Sequence, residues 1–292
     1  MPSLDDLKKR IKSVKSTQKI TKAMKMVAAA KLRKAQENAE KGRPYSQKMQ
    51  NIILNLTKSI SDIENAPKLL VGTGNDKTHL CVVLTADRGL CGGFNSNICK
   101  LAKISFKEIL NNGKNLKIIT VGSKGYDQIK REYGKYIIKK FSFKDKKQIT
   151  FKEAEIIGKE IINLFNQNEF DKFKLFFNNF KNVITQIPQA QQIIPAEKKS
   201  SDLKNENAMF YEFEPDEDEI LEDLLPKNIS TQVFKAFLEN AASEQGSRMT
   251  AMDNATRNAG DLVDKLTINY NRSRQASITK ELIEIISGAE SL

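Results

Sequence analysis

The 292-residue sequence contains no tryptophan, a single histidine and three cysteines. Tyr45 and Phe94 are the only aromatic residues among the first hundred, so the basic N-terminal part offers little surface on which nucleic-acid bases could stack. His79 alone leaves little from which to build a metal site, and the cysteines show no CxxC spacing. We therefore expect no metal centre in this chain.

Long apolar runs are also missing from the sequence. None approaches the roughly 20 residues that a membrane-spanning helix needs. The N-terminus holds Asp5 and Asp6 and lacks the apolar core of a secretory signal, so we expect neither a signal nor a transit peptide. Together with the odd number of cysteines, these features predict a reduced, cytoplasmic setting.

Proline is absent after Pro226, which permits a long helix through the C-terminal part of the chain. Asn228 or Ser230 can cap this helix at its start, and Gly288 is expected to end it. About 60 residues at 1.5 Å each give a rod of roughly 90 Å, which no compact domain of this size can bury. Small and apolar residues recur at steps of three and four, a pattern that requires a partner helix. They are Leu238, Ala242, Gln245, Met249, Met252, Thr256, Ala259, Val263, Leu266, Tyr270 and Ser273.

A second long helix is predicted from Leu4 to about Asn65. Ser3 with Asp6 makes an N-terminal cap, and a kink or short break is expected at Pro44 in the segment 42–44. The two end helices are natural antiparallel partners. The apolar stripe consists of Leu4, Leu7, Ile11, Val14, Gln18, Thr21, Ala28, Leu32, Ala35 and Ala39, and it resumes at Met49, Ile53, Leu56, Ile60 and Ile63.

Between the two helices, short apolar runs alternate with amphipathic stretches, which predicts a small α/β domain with a mainly parallel sheet. Strands are expected at 78–86, 116–121, 137–143, 173–177, 183–194 and 208–213, and helices at 96–110, 123–133 and 152–165. The predicted architecture is a long antiparallel coiled coil with an inserted, Rossmann-like α/β domain. Its segments are an N-terminal coiled-coil helix at 1–65, the α/β domain at 66–226 and a C-terminal coiled-coil helix at 227–292.

Charge is unevenly distributed along the chain. Residues 1–48 hold fourteen Lys and Arg against four acids, whereas residues 212–223 hold eight acids and no base. The basic segment could face nucleic acid, an anionic membrane surface or an acidic protein, or it could be a solvated helix rich in lysine. A basic coiled-coil nucleic-acid-binding protein is thus an alternative interpretation, although it leaves the inserted α/β domain unexplained.

A glycine-rich loop at 87–95 follows the first predicted strand, a place where α/β proteins often hold a phosphate. It lacks the Lys and Ser/Thr that end GxxxxGK[ST], and its glycines do not have the spacing of GxGxxG. The loop is therefore interpreted as a tight strand-to-helix connection, and a nucleotide-dependent enzyme is a third, weaker interpretation. No catalytic set is recognisable elsewhere. Asp87 and Arg88 are expected to pair with each other or with a partner.

Four blocks of sequence stand out, in order from residue 11 to residue 282. They are IKSVKSTQKITKAMKMVAAAK (11–31), RGLCGGFN (88–95), ASEQGSRMTAM (242–252) and YNRSRQASITKEL (270–282). These blocks resemble the γ subunit of F-type ATP synthases: the first is similar to that family's first helix, the second to its central glycine loop, and the last two to its last helix. The stretch from about 100 to 205 matches the family only in its general pattern.

The resemblance implies a central rotor shaft, which couples proton flow through a membrane ring to ATP synthesis in a ring of α and β subunits. Its partners would be the α and β subunits, the ε subunit and the c-ring, with no nucleic acid. The chain itself would be a non-catalytic subunit without a cofactor, because the reaction belongs to β. It would be a peripheral subunit at the cytoplasmic face of the bacterial inner membrane.

The resemblance also implies two sets of contact residues and an apolar bearing. The set facing the α/β ring is Lys22, Met24, Lys25, Lys31, Arg88, Cys91, Glu244, Arg248, Arg274, Gln275, Thr279 and Ile286. The set forming a foot near the c-ring and ε is Arg43, Tyr45, Tyr211, Glu212 and Glu214. For Glu244 and Arg248 the alternative is an ordinary exposed pair within one helix. The bearing would be the apolar end, for which the alternative is packing against the N-terminal helix; its residues are Ile278, Leu282, Ile283, Ile285 and Ile286.

Titration of the isolated chain with Mg-ATP or NAD in a calorimeter is expected to give no saturable heat. The glycine loop lacks the lysine and hydroxyl that hold terminal phosphates in a P-loop, and it lacks the glycine spacing of a dinucleotide site. Saturable binding of either ligand would instead support the nucleotide-dependent enzyme.

Overall fold

The computed structural model of this chain describes residues 3–59, 67–146, 148–195 and 217–290. It divides into two compact units, Met1–Ala29 with Arg248–Leu292, and Ala30–Ser247. The three-segment division expected from the sequence stays a prediction. In chain order the helices and strands are α1 (Leu4–Ser59), α2 (Lys68–Val71), β1 (Thr78–Leu84), α3 (Phe94–Asn111), β2 (Asn115–Val121), α4 (Ser123–Tyr133), β3 (Ile137–Phe141), α5 (Phe151–Asn166), β4 (Lys172–Phe180), β5 (Gln186–Ile194) and α6 (Glu217–Glu290).

Helix α6 begins earlier than the sequence predicted. A start capped by Asn228 or Ser230 was expected, whereas α6 runs from Glu217 and passes through Pro226. Pro226 cannot donate a backbone hydrogen bond to the preceding turn, and this loss destabilises the helix. Apolar side chains recur at steps of four on one face of this part of α6, and their burial offsets the loss. These buried side chains are Leu221, Leu225 and Ile229.

Two further expectations about helix limits are wrong, the short break at 42–44 and the end at Gly288; the kink given as the alternative to that break stays a prediction. Helix α1 continues through Pro44 without interruption, and α6 continues through Gly288 to Glu290. Next to Pro44, the side chain of Arg43 is held by Glu239 and by the carbonyl of Phe180. This tertiary contact holds the backbone in place where local sequence alone favours a break.

The strands form one sheet in the order β3-β2-β1-β4-β5. Strand β1 pairs in parallel with β2 and β4, and β2 pairs in parallel with β3. Only the β4–β5 pairing is antiparallel among these described strands, so the predicted mainly parallel sheet is confirmed. The polar loop expected before residue 208 and the strand expected at 208–213 lie outside the described residues.

Strand β1 separates two apolar layers. Leu80, Val82 and Leu84 lie in a cluster with residues of α5 and α6, and Cys81 and Val83 lie in a cluster with residues of α3 and α4. All five side chains are fully buried. Burial on both faces is typical of a central parallel strand, and it places β1 and the loop that follows it at the centre of the sheet.

In the unit built from the chain ends, the two predicted helical stripes pack against each other. The oxygen Oγ1 of Thr256 donates a hydrogen bond to Oγ1 of Thr21 (2.8 Å), and Lys25 forms an ion pair with Asp253 (2.5 Å). Thr21 contacts Thr256, and Lys25, further along α1, contacts Asp253, which lies earlier in α6. The two helices therefore run antiparallel, as predicted. The buried residues are Leu7, Thr21 and Ala28 from α1, and Met252, Ala259, Val263 and Leu266 from α6.

Asp76 ties together the amino-terminal ends of three parallel strands. Its carboxylate accepts hydrogen bonds from Nζ of Lys114 (2.5 Å), Nζ of Lys172 (2.9 Å) and Nε2 of His79 (2.6 Å). Burial by itself would raise the pKa of Asp76, but these hydrogen bonds outweigh it and hold the pKa well below its ordinary value. Burial also lowers the pKa of His79, so the ring is neutral at pH 7 and donates from Nε2.

The substitution Asp76→Asn is expected to lower the urea midpoint of unfolding at pH 7, because it leaves the cations around residue 76 without their carboxylate. A depressed carboxyl pKa contributes stability above the unfolded value of about 3.9, and that stability is lost as the pH falls through the folded value. The difference in urea midpoint between wild type and Asp76→Asn should therefore persist from pH 7 to about 4 and shrink at lower pH.

The matched control is Glu108→Gln, which removes an exposed carboxylate from α3 in the same unit. It should leave the midpoint nearly unchanged over the same pH range. A gap for Asp76→Asn no larger than that of the control would mean that the lysine and histidine contacts contribute nothing to stability.

Candidate functional site

The glycine-rich loop lies where this type of sheet usually binds a ligand. From β1 the strand order continues to β2 and β3 on one side and to β4 on the other. In such doubly wound sheets the crevice outside the carboxyl ends of the strands, where the order reverses, is the usual ligand site. The loop at 87–95 leaves β1 at that point and enters α3. Its geometry therefore decides whether the domain can hold a nucleotide.

The loop is closed by its own side chains. Leu90 (φ 63°) and Gly92 (φ 56°) adopt left-handed backbone conformations, which turn the chain sharply. Asn95 accepts a hydrogen bond from the backbone N–H of Ala86 (2.9 Å), and its Nδ2 donates to Sγ of Cys91 (3.2 Å). The predicted tight connection between strand and helix is thus what the structure contains.

Helix α6 fills the crevice with polar side chains. Nδ2 of Asn240 donates to the carbonyl of Leu84 at the end of β1 (3.1 Å), and its Oδ1 accepts from the N–H of Asn178 (2.9 Å). Oγ of Ser247 donates to the carbonyl of Cys91 in the loop (2.6 Å). The backbone groups that could have met a cofactor are thereby used by the chain's own helix.

The amino-terminal end of α4, a second place for an anion, is occupied by Asp87. Its carboxylate accepts hydrogen bonds from the N–H (2.8 Å) and Oγ (2.9 Å) of Ser123, from Oγ of Ser142 (2.8 Å) and from the N–H of Phe143 (3.1 Å). Burial opposes ionisation of Asp87, but these donors prevail and lower its pKa. The expected pairing of Asp87 with Arg88 is wrong, because the Asp87 carboxylate is satisfied inside the domain; a contact of Arg88 with a partner stays a prediction.

The outward face of the loop consists of Arg88 and Leu90. Arg88 is exposed, and Leu90 is 66% exposed at the tip of the turn. Cys91, one of the residues expected to contact a partner, is only 2% exposed, and its Sγ points to the carbonyl of Arg88 (3.9 Å). Sequence reasoning overlooked Leu90, although an apolar residue between glycines in a loop is a signal for an exposed contact.

The lysines expected to face the ring differ in their surroundings. Lys22 and Lys31 are exposed and Met24 is partly buried. Lys25 already has an ion-pair partner, Asp253, within its own unit. Lys22 therefore offers its charge to a partner without giving up an internal contact, whereas Lys25 does not.

Every residue of α6 from 278 to 289 is exposed. Arg274, Gln275 and Thr279 are exposed, and Oγ1 of Thr279 donates to the carbonyl of Gln275 (2.9 Å). The apolar residues from Ile278 to Ile286 are 49–68% exposed, so none of them is buried against α1. Glu244 and Arg248, which lie earlier in α6, are each partly buried.

The predicted foot is seen only in part. Tyr45 is 62% exposed and available to a partner. Arg43 instead turns inward, and its Nε lies 2.7 Å from Oε1 of Glu239. Tyr211, Glu212 and Glu214 lie outside the described residues.

Two other kinds of site, a membrane span and a metal site, are absent from the described ranges. No described helix is both long and apolar enough to cross a membrane. In the same ranges, no group of three or more His, Cys, Asp or Glu side chains is placed to hold a metal ion.

Comparison with known proteins agrees with the four sequence blocks. The sequence matches the ATP synthase family over residues 3–292. It is 73% identical to the ATP synthase gamma chain of Pelagibacter ubique (strain HTCC1062) over 100% of both chains. It is 58% identical to that of Rhizobium leguminosarum bv. trifolii (strain WSM2304), again over 100% of both chains.

Solved structures have a similar fold. A chain in the central stalk and c-ring of the Tetrahymena thermophila mitochondrial ATP synthase is 28% identical, with a TM-score of 0.58, over 81% of this chain and 99% of that chain. A chain of the Euglena gracilis mitochondrial ATP synthase, with a TM-score of 0.67 and 20% identity, covers 99% of this chain and 94% of its own and supports the fold alone. A family match across residues 3–292 and a full-length relative at 73% identity lead to one conclusion: the chain belongs to the ATP synthase gamma-chain family.

Proposed function

We propose that this chain is the central rotor shaft of a proton-translocating F-type ATP synthase. The observation that carries the proposal is full-length membership of the gamma-chain family. As a gamma chain it is a subunit of the complex and is not itself catalytic, because the β subunits carry catalysis. The shaft couples ion flow through the membrane ring to ATP synthesis in the ring of α and β subunits.

The structure supports a mechanical role over an enzymatic one. The crevice at the sheet edge is filled by Asn240 and Ser247 of α6, and the anion position at α4 is taken by Asp87. In the described part of the domain, these two usual ligand positions are occupied by the chain's own side chains, so neither is open to a substrate. Its surface, not its interior, is then where the function lies.

The chain-end unit has the surface that a turning shaft needs. Its helices meet through small side chains such as Ala28 and Ala259, which keep the pair slim. The apolar residues near the end of α6, including Ile283 and Ile286, are exposed within the part of the chain that the structure describes, and we propose that they run in an apolar bearing of the α/β ring.

The partners follow from the same proposal. The residues that face the α and β subunits are Lys22, Met24, Lys31, Arg88, Leu90, Glu244, Arg248, Arg274, Gln275, Thr279 and Ile286. Tyr45, Tyr211, Glu212 and Glu214 form the foot on the c-ring and the ε subunit. Full-length bacterial relatives support a peripheral location at the cytoplasmic face of the bacterial inner membrane. The family membership gives no support to the nucleic-acid-binding alternative.

A disulfide between the loop tip and the β subunit should stop rotation. Leu90→Cys replaces a 66% exposed side chain, whereas the native cysteines are buried and can stay in place. With a second cysteine on the facing β surface, oxidation should reduce ATP turnover of the assembled complex in proportion to crosslink yield, and reductant should restore it. Such a tether joins rotor to stator and leaves the catalytic sites chemically intact.

The matched control is Lys107→Cys, an exposed position on α3, combined with the same β cysteine. It should give neither crosslink nor inhibition. Full turnover with the Leu90→Cys crosslink complete would show that the loop does not move relative to β, and the rotor proposal would fail.

The charge of the shaft can be tested at Lys22. We propose that Lys22 meets an acidic surface of the α/β ring. Lys22→Glu would then place like charges opposite each other, and it is expected to lower proton pumping per ATP by twofold or more in the reconstituted complex. Lys9→Glu, an equal charge change at another exposed position of α1, is the control. Equal pumping ratios for both variants would mean that Lys22 meets no acidic partner.

A further inference from the structure

The last residues of β4 extend beyond their neighbouring strand. The pairing of β4 with β1 ends at Val83 and Phe176, whereas β4 continues to Phe180. On its other side β4 pairs with β5 along this whole stretch. The backbone groups of Asn178 and Phe180 that point away from β5 therefore need other partners, since buried N–H and C=O groups are nearly always hydrogen-bonded.

Helix α6 supplies those partners with side chains on one face. The N–H of Asn178 donates to Oδ1 of Asn240 (2.9 Å), and Oγ of Ser243 donates to the carbonyl of Asn178 (3.2 Å). The N–H of Phe180 donates to Oε2 of Glu239 (3.0 Å). Glu239, Asn240 and Ser243 are at most 6% exposed, so the helix takes the place of a strand at a buried sheet edge.

Helix α1 joins the same contact through Arg43. Its Nε and Nη2 donate to the two carboxylate oxygens of Glu239 (2.7 and 3.1 Å), and Nη2 also donates to the carbonyl of Phe180 (3.1 Å). A Cβ at Gly42 would lie 2.8 Å from Cδ1 of Leu238, so the two helices pass each other closely here. One carboxylate thus holds both helices and the strand.

Stability alone is a poor reason for this arrangement. A buried ion pair of this kind is often no more stabilising than apolar side chains of the same size. Hydrogen bonds are directional, however, and weaken steeply when their angle changes. A set of hydrogen bonds from one helix face to one strand therefore adds resistance to rotation of the helix about its own axis, beyond that of close packing.

We infer that Arg43, Glu239, Asn240 and Ser243 form the α6–β4 joint, which transmits torque between the long helices and the α/β domain. The inference rests on the proposed rotor function. Torque acts on the surface of the α/β domain. It reaches the long helices only if the joint prevents them from twisting relative to the sheet. These are positioning residues, and they touch no nucleotide.

The test uses the complete synthase reconstituted in sealed vesicles. The double variant Asn240→Leu with Ser243→Ala removes the hydrogen bonds from these two side chains and changes no charge, and Glu239→Gln is a milder variant of the same joint. ATP hydrolysis in uncoupler should stay within about twofold of wild type. Protons pumped per ATP should fall at least threefold, and the deficit should grow as the opposing gradient builds, since a loosened joint slips under load.

The matched control is Glu160→Gln, which removes the Lys139–Glu160 ion pair elsewhere in the same unit. Its pumping ratio should equal that of wild type at every gradient. Joint variants whose pumping ratio matches this control, or whose hydrolysis and pumping fall equally with the thermal midpoint, would show that the joint only stabilises the fold. If the wild-type chain itself gave no proton pumping in the complex, the rotor proposal would fail and not the joint alone.

Discussion

The hydrogen bonds between one face of α6 and the carboxyl edge of the sheet determine what the α/β domain can do. Asn240 is hydrogen-bonded to the end of β1, Ser247 to the glycine loop and Glu239 to the end of β4. In a nucleotide-binding relative of this architecture those backbone groups would face a ligand. In this chain those backbone groups are bonded to α6, so a fold that is common among nucleotide-binding enzymes instead holds the long helices of a shaft. Fold alone does not imply function.

Much of the fold could be predicted because its signals are local. Every residue of the stripe predicted for α6, from Leu238 to Ser273, is buried or partly buried, since a step of three and four places such residues on one face of a helix. The strands at 78–86 and 173–177 were recognisable as short apolar runs for the same reason. The resemblance of four blocks then gave the family, which the comparisons confirm.

What could not be predicted depends on pairs far apart in the sequence. Arg43 and Glu239 are 196 residues apart, and no local pattern connects them. The continuity of α1 through Pro44 and the early start of α6 both follow from tertiary packing that overrides the preferences of single residues. For Asp87 the sequence suggested its neighbour Arg88, but its partners are Ser123, Ser142 and Phe143. The ring contacts and the foot were inferred from the family and stay predictions.

The burial of the three cysteines lowers their chemical reactivity. Burial raises the pKa of the Cys81 thiol to about 12 and that of Cys99 to about 11. Cys91 is screened from solvent by the loop that contains it. Cellular oxidants react with thiolates at accessible sites, and none of these sulfurs offers one. The three cysteines are therefore poor targets for oxidants, and changes in the redox state of the surroundings should leave these thiols unmodified.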